Sequence, residues 1–145
     1  MTVTADRHRI LIVEDDPGCR ALLQAIFVSH GFRVTSTDSV LGASELIERL
    51  RPDVIVLDLA LPYRSGASWL VELKADPGTA GIPVVILSAH PTVLPEGRRR
   101  MAYAVLAKPF QIGTVIAAIR SACEGADADA AAMSDSASSQ PLGSL

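Results

Sequence analysis

Aromatic residues make up only 4% of this 145-residue sequence, with tryptophan present once and cysteine twice. An interior with so few rings must be aliphatic. No apolar stretch reaches the ~18 residues that a membrane-spanning helix needs. The opening MTVTADRHRI sets charges directly before the first apolar run, which is wrong for a signal peptide, so a cytoplasmic location is expected. Cys19 and Cys123 have neither the number nor the spacing of a disulfide framework or a zinc site, and both read as free thiols. A charge excess is also missing. All 13 Lys and Arg precede Gly125 together with 13 of the 16 acids, and Asp127, Asp129 and Asp135 lie beyond it. That balance lends no support to nucleic-acid or membrane-surface binding, which a basic surplus would favour.

What is there in plenty is hydrophobic, at 49%. Five strand-like segments, ILIV (10–13), RVTST (33–37), VIVL (54–57), PVVIL (83–87) and AVLA (104–107), alternate with stretches of helical period. Consecutive apolar residues without in/out alternation indicate strands covered on both faces, as in a parallel sheet flanked by helices. Asp16 followed by Pro17 reads as a helix cap with proline at the first helical position, Leu22, Leu23, Ile26 and Phe27 as that helix's apolar face, and Gly31 as its stop. Val40, Ala43, Leu46, Ile47 and Leu50 predict a second helix ended by Pro52. A third starts near Ser65 and Gly66 and runs through Trp69, Leu70 and Leu73, and the last presents Ile112, Val115, Ile116 and Ile119. In PTVLPEGRRRMAY (91–103), Pro91, Pro95 and Gly97 oppose a regular helix, so any helix there is expected to be short or displaced. The alternation predicts a doubly wound α/β fold with helices on both faces of the sheet. One compact domain over 1–124 and an unstructured Ala, Asp and Ser-rich tail over 125–145 complete the expected organisation.

In such sheets, ligands bind beyond the carboxyl ends of the strands. There the sequence places Glu14, Asp15 and Asp16 after the first strand, Asp58 after the third, Ser88 at the end of the fourth and Lys108 after the fifth. Singly, each has an ordinary explanation as a cap, a turn former or a solvated charge. Gathered at one sheet edge they form a constellation, whose carboxylates would repel unless a small hard cation sat among their oxygens. Magnesium is the natural candidate. His8, His30 and His90 lie in separate segments without ligand spacing and are not read as metal ligands. Arg98, Arg99 and Arg100 are adjacent and cannot share one helical face, so a solvated or partner-facing surface is expected there rather than a nucleic-acid patch.

The pieces ILIVEDD, PDVIVLDLALP followed by SG, PVVILSA and KPF, in this order across residues 10–110, resemble the receiver domains of two-component response regulators, the single-domain, chemotaxis-regulator-like kind in particular. Gly66 stands eight residues and Ser88 thirty residues after Asp58, as that pattern expects. The resemblance implies a five-stranded flavodoxin-like sheet in the order 2-1-3-4-5. It implies that Asp58 is the phospho-acceptor, taking a phosphoryl group from a sensor histidine kinase or a histidine phosphotransfer protein. A carboxylate is nucleophilic at neutral pH without a general base. It further implies Mg2+ held by Asp15 and Asp58, by Glu14 through water and by the backbone carbonyl of Ala60. Lys108 would pair with the phosphoryl group and Ser88 would hydrogen-bond it. Asp16 remains chiefly the helix cap. Self-phosphorylation and slow autodephosphorylation are the only activities expected, so the protein is not read as an enzyme.

Two departures from the family pattern stand out. Three residues before Lys108 the family usually carries an aromatic whose ring reports the phosphorylated state. Here that residue is Val105, and Tyr103 is displaced by two residues, ~7 Å along the strand. The interval of 20 residues from Ser88 to Lys108 is also shorter than usual. A haloacid-dehalogenase-type phosphatase would want a second Asp where Ala60 stands. A flavodoxin-like cofactor binder would want a phosphate-cradling loop where EDDPG would repel phosphate. The nearer rival is a receiver-fold binding module acting largely without phosphorylation. With the last helix ending near Cys123, no output domain is expected, and the signal would pass to a separate partner protein that is neither nucleic acid nor membrane.

Overall fold

The computed structural model describes residues 8–61 and 64–125, so the expected tail lies, apart from Gly125, outside the described residues. Strands β1 (Arg9–Val13), β2 (Arg33–Thr37), β3 (Val54–Leu57), β4 (Val84–Ser88) and β5 (Ala104–Ala107) form one five-stranded sheet in the order β2-β1-β3-β4-β5. Every pairing is parallel. The order follows hydrophobicity: the Ile, Leu and Val runs of β1, β3 and β4 take the centre and are buried almost throughout. The Thr, Ser and Ala-bearing β2 and β5 take the edges and stay half-exposed. Cover on both faces is complete for the three central strands and partial for the edges, which also have only one neighbouring strand each.

Alternate residues of each central strand face opposite sides. On one side Ile10, Ile12, Val54, Val56, Val85 and Leu87 pack with Leu23, Ile26 and Phe27 of helix α1 (Pro17–Ser29) and with Val115 and Ile119 of a last helix, α5, over 112–125. On the other, Leu11, Val13, Ile55, Leu57, Val84 and Ile86 pack with α2 (Val40–Leu50) and α3 (Gly66–Ala75). The remaining helix, α4 (Glu96–Arg99), has four residues and follows a 3-10 turn over Pro91–Val93. The prolines limit it as the sequence indicates, and buried Leu94 anchors the segment to the core.

Local chemistry sets the helix ends. Asp16 Oδ2 accepts from the Cys19 amide at 2.7 Å, and Ser39 and Ser65 cap α2 and α3 in the same way, each at 3.1 Å. Helix α1 gives way to Gly31 at φ 91°, and α2 ends on Arg51 at φ 50°, one residue before Pro52. Two residues assigned to apolar faces depart from expectation: Leu22 is 51% and Ile112 49% exposed. Both sit at the margins of their stripes, where periodicity alone does not separate core from surface.

Candidate functional site

Strand register brings the polar ends together. Val13 lies beside Leu57, so Glu14 and Asp58 leave the sheet level with each other, and the ladder continues one step through Asp58 N–H to Val13 O at 3.0 Å. Ser88 lies beside Ala107, and the Lys108 amide donates to Ser88 O at 2.9 Å. On α3, a Cβ at Gly66 would stand 2.5 Å from Asp58 O and 2.9 Å from Leu59 Cα. Only glycine lets the start of α3 pack this closely on the backbone that leaves β3.

Carboxylate oxygens of Glu14, Asp15 and Asp58 lie within 4.8 Å of one another. Glu14 is 2% and Asp58 7% exposed, whereas Asp15 is at the surface. The Lys108 ammonium donates a hydrogen bond to Glu14 Oε1 and stands 3.6 Å from Asp58 Oδ2. Asp58 Oδ1 accepts from the Ala60 amide at 3.2 Å. Glu14 Oε2 is buried with no hydrogen-bond partner. An orphaned carboxylate oxygen inside an all-oxygen cluster suits a hard divalent cation, so the residues present fit magnesium.

The electrostatics follow from one ammonium serving several acids. Burial pushes Asp58 up to about 6, and the Glu14 carboxylate beside it adds to the rise against the opposing Ala60 amide and Lys108 charge. Burial would also raise Glu14, but the Asp58 and Cys19 side chains beside it and the Lys108 ammonium outweigh it and hold the carboxyl below its ordinary value. In Lys108, burial favours the neutral amine, yet Glu14 and Asp58 lift it above the usual lysine range. The buried pair thus consists of an ionised Glu14 and a charged Lys108, with Asp58 the acid most easily neutralised.

Each residue that the sequence assigned to the site lies on this edge. Ser88 is 2% exposed and its Oγ accepts from the His90 amide at 3.1 Å. Ala60 contributes its amide to Asp58, and Asp16 is the α1 cap. Two neighbours escaped the sequence reading. The Cys19 thiol, taken there as an ordinary free thiol, is pushed up to about 11 by burial and by Glu14 beside it. Arg20 Nη1 donates to Glu14 O at 2.9 Å and approaches Asp15 O at 3.4 Å. Its position six residues after Glu14, in the first turns of a helix that folds back under the acidic loop, was the available signal.

The sequence profile described as the response regulator receiver domain matches residues 10–120. Protein Rrf1 of Nitratidesulfovibrio vulgaris is 36% identical over 80 residues, which cover 55% of this chain and 58% of that protein. The DNA-binding response regulator MtrA of Mycolicibacterium smegmatis is 32% identical over 116 residues, 79% of this chain and 50% of that protein. The chain thus spans about half the length of these curated relatives. Among solved structures, a sensor protein from Polaromonas sp. JS666 gives a TM-score of 0.78 at 28% identity, covering 83% of this chain and 99% of that one. The receiver domain of a sensor histidine kinase from Pseudomonas aeruginosa PAO1, solved with a magnesium ion coordinated in its active-site cleft, gives 0.71 at 28% identity, covering 82% and 99%. Sheet order, the acidic edge and the profile agree, and the chain belongs to the receiver domains of two-component response regulators.

Proposed function

We propose that this receiver accepts a phosphoryl group from a phosphohistidine onto Asp58 and signals through a separate protein. The observation that carries the reading is the placement of Asp58: buried at the end of β3, one oxygen held by the Ala60 amide and the other 3.6 Å from the Lys108 ammonium. In the transfer, Asp58 Oδ2 attacks phosphorus as the N–P bond of the phosphohistidine breaks, and the imidazole leaves with the electron pair and takes a proton from solvent. Lys108 then exchanges its bond to Glu14 for the transferred group. Ser88 Oγ keeps accepting from the His90 amide while donating its own proton to a phosphoryl oxygen, as a hydroxyl allows. Glu14, Asp15, Asp58 and the Ala60 carbonyl would hold Mg2+, which supplies the positive charge that lets an anionic phosphoryl group approach three carboxylates. The chemistry is confined to the protein's own aspartate: phosphorylation and its slow reversal, with no other substrate.

The donor is a sensor histidine kinase or a histidine phosphotransfer protein, and the site of action is the cytoplasm. No helix among the described residues is long and apolar enough to cross a membrane. Histidine-phosphorylated kinases and phosphotransfer proteins of the source organism, mixed one by one with this chain and magnesium, test the reading. Label is expected to move from at least one of them to the wild type and from none to Asp58→Asn. Transfer to Asp58→Asn at the wild-type rate, or transfer to neither, would contradict it.

A second reading, association with a partner irrespective of phosphorylation, is favoured by Val105, half-buried against the cluster around Leu94 with no ring to reorient. Under that reading a partner binds equally well with and without a phosphoryl mimic such as beryllofluoride. Under the first it prefers the treated form.

A further inference from the structure

The phosphoryl-transfer chemistry above makes no use of Arg20, whose guanidinium lies against the acidic loop. Nη1 donates to Glu14 O at 2.9 Å and reaches Asp15 O at 3.4 Å. These are the carbonyls of the two loop residues whose carboxylates join Asp58 in the oxygen cluster. The ends of the loop are pinned by Glu14 N–H to Thr37 O at 3.0 Å and by the Asp16 cap on the Cys19 amide at 2.7 Å. Between those pins sits Asp15, exposed, with the peptide on either side held by Arg20. We propose that Arg20 is a positioning residue for the divalent cation: by bridging the Glu14 and Asp15 carbonyls it fixes the loop that keeps the Asp15 carboxylate beside Glu14 and Asp58. The inference rests on the reading that this cluster takes magnesium, and names the residue that preorganises it.

Arg20 acts on a cation in two opposed ways, and the sign of the effect separates them. As a positive charge near the cluster it repels the metal, so a mere bystander's removal leaves affinity unchanged or tightens it. As a support of the ligand loop it preorganises the site, so removal weakens binding. Outer partners that orient metal ligands typically govern about 10–100-fold in affinity. Magnesium is titrated calorimetrically into the full wild-type chain and into Arg20→Ala and Arg20→Lys, each also melted without metal.

Arg20→Ala is expected to bind magnesium roughly tenfold more weakly, at the low end of that range because Glu14 and Asp58 are held independently. Arg20→Lys keeps the charge but not the planar fork or the full reach, and is expected to fall between the two. It carries the test alone should the alanine variant melt below the assay temperature. In metal-free protein, 15N relaxation is expected to show the Asp15 amide going from an order parameter of about 0.85 towards 0.6 in Arg20→Ala, a change that a general loss of stability does not localise. Equal or tighter magnesium binding by the variants, or an Asp15 amide as rigid as in the wild type, overturns the role of Arg20. A wild type that binds no magnesium overturns the reading beneath it.

Discussion

Asp58 and Glu14 leave adjacent parallel strands at the same level, and Lys108 gives its hydrogen bond to Glu14 rather than to Asp58. Asp58 therefore carries the cost of crowding, and burial and Glu14 raise it from 3.8 to about 6. The native state holds this proton more tightly than the unfolded chain, so the resulting stability is fully present below pH ~4 and is lost as pH rises through about 6. At pH 7.5, without metal, Asp58→Asn is expected to be more stable than the wild type by on the order of 1–3 kcal/mol, and the gain to shrink to about a third of that by pH 4.5. Urea denaturation of both proteins at the two pH values checks this; a variant less stable at pH 7.5 would contradict it.

Magnesium competes with the same proton, so its affinity is expected to fall by about tenfold per pH unit once pH drops below about 6. Calorimetric titration from pH 8 to pH 5 reads the slope, and a flat profile would place the metal away from Asp58. The residue types at this edge were legible as strand ends. Which acid Lys108 would take was not, since that choice joins side chains 94 residues apart through register and rotamer. The thiol of Cys19 beside Glu14 was hidden although the two are close in sequence, because it depends on how the loop turns into α1.

At the scale of elements, α3 is placed by its own apolar face of Trp69, Leu70 and Leu73 and also by the close approach at Gly66. A methyl there meets the backbone of Asp58 and Leu59, which cannot yield as a flexible side chain would. Gly66→Ala is expected to destabilise the domain by roughly 1–3 kcal/mol, read by urea denaturation, and to shift the Asp58 and Ala60 amide resonances. An unchanged midpoint would show that α3 moves freely. The segment from the 3-10 turn to β5 offers the complementary case, a four-residue helix held chiefly by Leu94. Little packing opposes its movement, so beryllofluoride with magnesium is expected to shift amides between Ser88 and Lys108 more than those of α2; shifts confined to the loops around Asp58 would contradict this. The prolines made the shortness of α4 legible in advance. The exposure of Leu22 and Ile112 was not, because a helical stripe has margins whose cover depends on the neighbouring elements. Tyr103 likewise serves the entry to β5, where its hydroxyl meets Ser121 Oγ at 2.5 Å, and not the site.

For the molecule as a whole, two largely aliphatic cores pack the three central strands between them. The doubly wound fold was legible because consecutive buried Ile, Leu and Val leave few alternatives to a covered parallel sheet. Its order, β2-β1-β3-β4-β5, came from the family resemblance, since runs of equal character do not say which strands are neighbours. The polar strand ends converge on one atom pair, the carboxylate oxygens of Asp58, held in place by that frame. The most direct test treats the intact protein with acetyl phosphate and magnesium and locates the added group by mass spectrometry of peptides. The account predicts a single phosphoryl group on Asp58, absent from Asp58→Asn and lost when magnesium is chelated; full labelling of Asp58→Asn at the wild-type rate, or a group on another acid, would contradict it.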